Sequence, residues 1–173
     1  MWFVIWTSTA HENKALTTIE ERFSELFDRI FVPQRTISKK RGKEWFFEQT
    51  ALFPGYLFID TDTKRIEELS VKLRSISGFN VILTSDEKYI PLKKNESEFI
   101  EKLYNDGGTF DASVGIIEGD KIRVTSGPLM GLEGSITKID RHKRRAYLEL
   151  NMFGVKTKTS VSLEIVEKNK SSD

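Results

Sequence analysis

Arg141-His142-Lys143-Arg144-Arg145 places four permanent cations and an imidazole in five consecutive residues. That density suits contact with phosphate, because each cation brought to a phosphate releases condensed counterions. The residues that follow alternate. Ala146, Leu148 and Leu150 share one face of a strand and Arg145, Tyr147 and Glu149 the other, while Val155, Thr157, Thr159 and Val161 oppose Lys156 and Lys158. A basic turn beside one ring and two outward lysines has what is needed to hold folded RNA by its backbone and by stacking. A turn can also be basic for solubility alone, and that reading stands beside the first.

A second basic run, Arg35, Lys39, Lys40, Arg41 and Lys43, surrounds Gly42. It fits a hairpin tip that either meets phosphates or is simply solvated. Phe53 and Tyr56 flank Pro54-Gly55. Rings beside such a bend are either rigid interface anchors or part of the sheet core. Catalytic chemistry has no comparable support. The two histidines are far apart in sequence, Gly127, Gly131 and Gly134 lack the GK[ST] ending of a phosphate-binding loop, and there is no cysteine. The expectation is a binding protein with no enzymatic activity, no metal and no cofactor.

These residues need a frame, and the hydrophobic pattern supplies one. Trp2 to Thr7 reads as a central strand. His11 to Phe27 carries Leu16, Ile19, Phe23 and Leu26 at helical spacing. A hairpin turning at Arg41-Gly42-Lys43 and a strand beginning after Pro54 follow. A helix over Ile66, Leu69, Leu73 and Ile76, capped from Thr61 or Asp62, leads to short strands at Val81 to Thr84 and Tyr89-Ile90, then to a helix from Asn95 to Tyr104. Residues 1–105 thus form an α/β unit with helices on an antiparallel sheet. Residues 106–117 read as a flexible linker, 118–168 as a small all-β barrel and 169–173 as a disordered tail. Taken with a four-residue loop at Asn151 to Gly154, the barrel hairpin would set Tyr147 opposite Lys158 and Glu149 opposite Lys156. The fold class is α+β.

Net charge is only +1, but its distribution is uneven. Met1 to Ile117 holds 16 basic and 18 acidic residues, net −2, against 11 and 8, net +3, from Glu118 on. The opening Met1-Trp2-Phe3-Val4-Ile5-Trp6 lacks the basic start and long apolar run of a signal peptide, and no stretch approaches a membrane span. A cytoplasmic monomer with no membrane partner is expected.

The opening aromatic strand before His11-Glu12-Asn13-Lys14, the segment Phe53-Pro54-Gly55-Tyr56-Leu57-Phe58, the run Gly119-Asp120-Lys121-Ile122-Arg123-Val124, Gly127-Pro128 through Gly134, and Met152-Phe153-Gly154 occur in one order along the chain. In that order they resemble the NusG family of transcription elongation factors. Within the family, Ile139 to Ala146 is most similar to the LoaP branch, specialised paralogues that act on selected long operons. The resemblance implies an N-terminal NGN-type α/β sandwich that docks on the RNA polymerase clamp, and a C-terminal KOW (SH3-like) barrel. It implies that Phe53 and Tyr56 meet the clamp and that His11, Asn13 and Lys14 approach non-template DNA; helix capping is the plain alternative for Asn13. A LoaP-like member would be a processive antitermination factor recruited by a hairpin in the nascent leader RNA. Leu132, Met152 and Phe153 match a groove that in the general factor receives ribosomal protein S10 or Rho. Val155 stands where that factor has arginine, which weakens both partners. A general NusG-type factor coupled to Rho or S10, and a ribosome-associated KOW protein that binds RNA, are the alternatives.

Overall fold

The aromatic and β-branched run at the start forms strand β1 (Trp2–Trp6), buried at its first four positions, because both faces of the strand are covered. A computed structural model describes residues 1–76, 81–85 and 88–169. After β1 come α1 (Glu12–Phe23), β2 (Arg29–Phe31), β3 (Gln34–Arg41), β4 (Glu44–Ala51), β5 (Tyr56–Asp60), α2 (Thr63–Leu73), β6 (Val81–Ile82), β7 (Thr84–Ser85), β8 (Lys88–Tyr89) and α3 (Lys94–Asn105). Then follow β9 (Thr109–Phe110), β10 (Ser113–Glu118), β11 (Lys121–Ser126), β12 (Ile136–Asp140), β13 (Arg145–Met152) and β14 (Val155–Asn169). The architecture is mixed α+β. No helix among the described residues is long and apolar enough to cross a membrane.

Met1–Pro33 with Phe53–Gly108 makes one compact unit, and Gln34–Leu52 with the chain from Thr109 onward makes the other. In the first unit the sheet runs β2-β5-β1-β6 with every pair antiparallel. Phe3, Ile5, Leu57 and Ile59 are buried on one side, and α1 and α2 supply Ile19, Phe23, Ile66 and Leu69 to the core. Each such burial stabilises by about 1.5–3 kcal/mol. On the other side, Trp2 Nε1 donates to Glu101 of α3 at 2.7 Å. Arg29 bridges Asp60 and Glu101, with its guanidinium 4.9 Å from the Trp2 ring. Asp62 caps α2, accepting from Arg65 N–H at 2.9 Å. The α1 N-terminus has no side-chain cap, so the capping role considered for Asn13 is not filled.

The second unit holds two sheets, β4-β3-β9 and β11-β10-β14-β13-β12. Strand β9 and all but the last residue of β10 lie inside the stretch 106–117 read from sequence as a linker. β10, parallel to β14 and antiparallel to β11, escapes the alternation rule because its register shifts at Val114/Gly115 against β11 and at Gly115/Ile116 against β14, so that Gly115 and Ile116 are both buried. Asn169 closes β14, and the rest of the expected tail lies outside the described residues.

The β13–β14 register also differs from expectation. Met152 pairs with Val155, which sets Tyr147 opposite Ser160 and Glu149 opposite Lys158. Phe153 and Gly154 both have left-handed φ, 58° and 72°, and close a two-residue turn of the I′ kind that follows strand twist. The difference is two residues in pairing. Inward and outward faces therefore keep their places, and Ala146, Leu148 and Val161 are buried as the alternation requires.

Candidate functional site

In the first unit the feature of interest is the end of the sheet beside the Pro54-Gly55 bend. Trp6 on β1 lies directly opposite Tyr56 on β5 and Val81 on β6. Facing residues of paired strands share a side of the sheet, so the three form one row. Trp6 is 39% exposed and Val81 53%, with Tyr56 half-buried. The bend beside them is fixed from α1: Glu12, itself buried, accepts from Gly55 N–H at 2.6 Å. Gly55 has φ +86°, and a Cβ there would come within 3.0 Å of the Thr7 carbonyl oxygen. Phe53 departs from the expected surface position. It is 2% exposed and packs 5.9 Å from Phe58, because the chain reverses only after it. His11, Asn13 and Lys14 are exposed at the start of α1.

In the second unit the basic residues divide by the company they keep. Arg35 is committed inside: Nη1 donates to the Ser160 carbonyl at 2.6 Å and to Thr159 Oγ1 at 3.0 Å, and Nε donates to Thr50 Oγ1 at 3.1 Å. Burial, and secondly the charge of Arg145, push the Arg35 guanidinium below its usual range. Ser38 and Ser162 share a hydrogen bond between hydroxyls nearby. Arg145 has a buried Nε with no hydrogen-bond partner. Arg144 pairs with Glu164 at 3.1 Å and lies 4.5 Å from the Trp45 ring centroid. Lys39 pairs with Glu48 at 2.7 Å, and Lys40 lies 5.8 Å from the same Trp45 ring. Arg41, Lys43, Arg141, His142 and Lys143 are exposed on or beside turns; Lys143 makes a long ion pair to Asp140 at 4.0 Å. Tyr147 is half-buried with Lys138 over its ring at 5.6 Å. Lys156 pairs with Glu149 at 2.8 Å, and Lys158 is exposed. Among the described residues no cluster of three or more His, Asp and Glu is placed to hold a metal ion.

A family model described as "Transcription termination factor nusG" matches residues 1–101, and the KOW motif matches residues 118–149. The chain belongs to the NusG family. Among curated relatives, the Thermus thermophilus transcription termination/antitermination protein NusG is 27% identical over 96% of this chain and 97% of its own length. The protein of the same name from Streptococcus pyogenes is 30% identical over 94% and 92%. A solved structure titled "Domain interaction in Thermotoga maritima NusG" aligns with TM-score 0.56 and 21% identity over 93% of this chain and 92% of that one, a likeness of fold. NusG-family proteins are transcription factors rather than enzymes, and this chain stands among them.

Against the groove that NusG resemblance suggests on the barrel, Met152 lies in the core at 2% exposure, while Leu132 and Phe153 are half-buried. The exposed apolar side chains there are Met130 and Val155. Sequence reasoning passed over Trp6, Val81 and Glu12 as site residues. Trp6 sits inside an apolar run that reads wholly as core, and only its place at the last position of β1 exposes it. Glu12 carried a usable signal, since a carboxylate in the first turn of a helix is well placed to accept from backbone N–H groups.

Proposed function

We propose that this protein is a cytoplasmic transcription elongation and antitermination factor that docks on RNA polymerase through the row Tyr56–Trp6–Val81 and is recruited by a hairpin in nascent leader RNA. The observation that carries the docking half is that row in a NusG-family chain: two rings and a valine in register, partly exposed, beside a bend held by Glu12. Rigid rings of this kind are strong interface anchors because little side-chain freedom is lost on binding. No bond is made or broken. The factor favours the elongating enzyme over the paused one by binding it better. His11, Asn13 and Lys14, exposed on the neighbouring helix start, would meet non-template DNA.

The RNA half, a LoaP-like activity, is supported by the exposed cations Arg141, His142 and Lys143, with Lys158 on the adjoining strand. Arg35 and Arg144 serve internal contacts and Arg145 has its Nε buried, so none of the three is its main phosphate ligand. In a binding assay with core polymerase, Trp6→Ala with Tyr56→Ala is expected to weaken association by about 30-fold or more, the scale of an interface hot spot. Unchanged association would end the docking assignment. Exposed Met130 favours a second reading, a general NusG-type factor whose barrel takes a protein partner such as ribosomal protein S10. Met130→Glu would then abolish capture of S10 and leave RNA binding intact.

A further inference from the structure

Two basic turns about a hundred residues apart in sequence meet at one ring. Lys40 on β3 lies opposite Trp45 on β4, with its Nζ 5.8 Å from the indole. Arg144, in the turn between β12 and β13, brings its guanidinium to 4.5 Å from the same indole. Arg144 reaches it with left-handed backbone, φ 48°, which a long side chain adopts only when its surroundings hold it there. The Glu164 carboxylate holds the other side. Beside this post an open cavity of about 440 Å³ is lined by Arg141, His142, Arg144, Glu164 and Ile165. The segments Lys39 to Glu48 and Asp140 to Arg145, with Glu164, bring eight permanent cations against four carboxylates. Three of those carboxylates, Glu48, Asp140 and Glu164, are already paired.

Resting on the RNA reading above, we infer that the tip of the β3–β4 hairpin and the β12–β13 turn are one binding surface for the backbone of an RNA stem, with Trp45 as the post that aligns them. Like charges gathered in this way repel unless an anion lies between them, and a polyanion answers that best. The Trp45 face is already engaged by Lys40 and Arg144, so the post offers charge rather than a stacking platform for an unpaired base. A surface that presents cations from two turns reads phosphates, and an A-form stem is recognised by its phosphates and 2′-hydroxyls. Arg41 and Lys43 on one turn, and Arg141 and Lys143 on the other, are the exposed ends that would reach them.

The test uses the full chain and a fluorescent RNA stem-loop, titrated across a salt series. Arg41→Gln with Lys43→Gln, and separately Arg141→Gln with Lys143→Gln, are each expected to weaken binding about 10-fold and to lower the salt slope by about 2. Trp45→Leu removes no charge and is expected to weaken binding with the slope unchanged, while Trp45→Phe restores it. If the hairpin pair matches the wild type while the turn pair loses affinity, the composite surface is wrong and the RNA reading survives. If neither pair changes anything, the RNA reading falls as well. Equal binding of unpaired RNA, or of the DNA stem-loop of the same sequence, overturns the assignment of an RNA stem.

Discussion

Arg35 and Arg145 are neighbours of the same charge with opposite fates. Arg35 donates to four oxygens, so Arg35→Met would take a donor from the Ser160 carbonyl and from the Thr50, Thr159 and Ser160 hydroxyls and should cost about 1–3 kcal/mol in urea denaturation. Arg145 brings a buried, unpartnered Nε close to Arg35. Arg145→Met removes both the repulsion and the unmet donor, and it is expected to leave stability unchanged or raise it by up to about 1 kcal/mol. A loss above that range would mean Arg145 makes a stabilising contact that outweighs these costs. The first unit carries a titration signature of its own. Arg29 first and Trp2 second hold the Glu101 carboxyl below its ordinary 4.5. Burial opposes ionisation of Asp60, but the N-terminal ammonium and Arg29 outweigh it and hold its carboxyl below 3.8. A carboxyl depressed by folding contributes stability above its unfolded value, and that contribution is lost as pH falls through the folded one. Stability should therefore be level in this respect above about pH 5 and fall on the acid side of about pH 4. In Arg29→Gln the acid-side fall should be shallower. An identical slope in that variant would show that other carboxylates govern it.

At the scale of elements, the turn at Phe153-Gly154 fixes the β13–β14 register, since both residues must adopt left-handed φ. Gly154→Ala should cost about 1 kcal/mol by chemical denaturation, and Gly42→Ala at the β3–β4 turn a similar amount. Open space around both positions makes the penalty one of backbone alone. This turn also shows what was legible in the chain beforehand. Alternation from Arg145 to Val161 revealed both strands and their inward faces, because period 2 survives any even slip in pairing. The register was not legible, because phenylalanine at the first turn position is not a residue that announces left-handed backbone. β10 was missed for a different reason: the register shifts around Gly115 break the period-2 pattern that marks a strand in sequence. Helices α1, α2 and α3 were legible to within a few residues because each has one apolar stripe and one polar face. Phe53 and Trp6 could not be sorted into core and surface, since each lies in an apolar run and only the fold decides which is exposed, Trp6 at the end of β1 and Phe53 buried before β5. Nor could sequence join the β3–β4 hairpin to the barrel. That union depends on Ser38 meeting Ser162, Arg35 meeting Ser160 and Arg144 meeting Trp45, contacts between residues of ordinary type separated by about a hundred positions.

For the molecule as a whole, an apolar row is built by one unit and a cationic surface by the other, each on its own core. The physics of the two surfaces differs in a way that a single experiment can read. Apolar burial between rings and a partner depends little on salt, whereas phosphate binding loses affinity steeply as salt rises, by about 0.9 in slope per phosphate neutralised. On this account, polymerase association of the purified protein should change little between low and moderate salt, while association with an RNA stem should collapse over the same range. In a defined transcription assay, Trp6→Ala with Tyr56→Ala should abolish readthrough of a terminator on every template, because docking is required for any effect. Arg141→Gln with Lys143→Gln should abolish readthrough only where the leader encodes the stem, and raising the protein concentration should restore it, because RNA supplies local concentration rather than the effect itself. If the cation variant fails equally on templates with and without the stem, the basic surface belongs to docking and the division of labour proposed for the two units is wrong. If neither variant alters readthrough while both remain folded by circular dichroism, the factor engages polymerase through a surface other than the row at the end of the sheet.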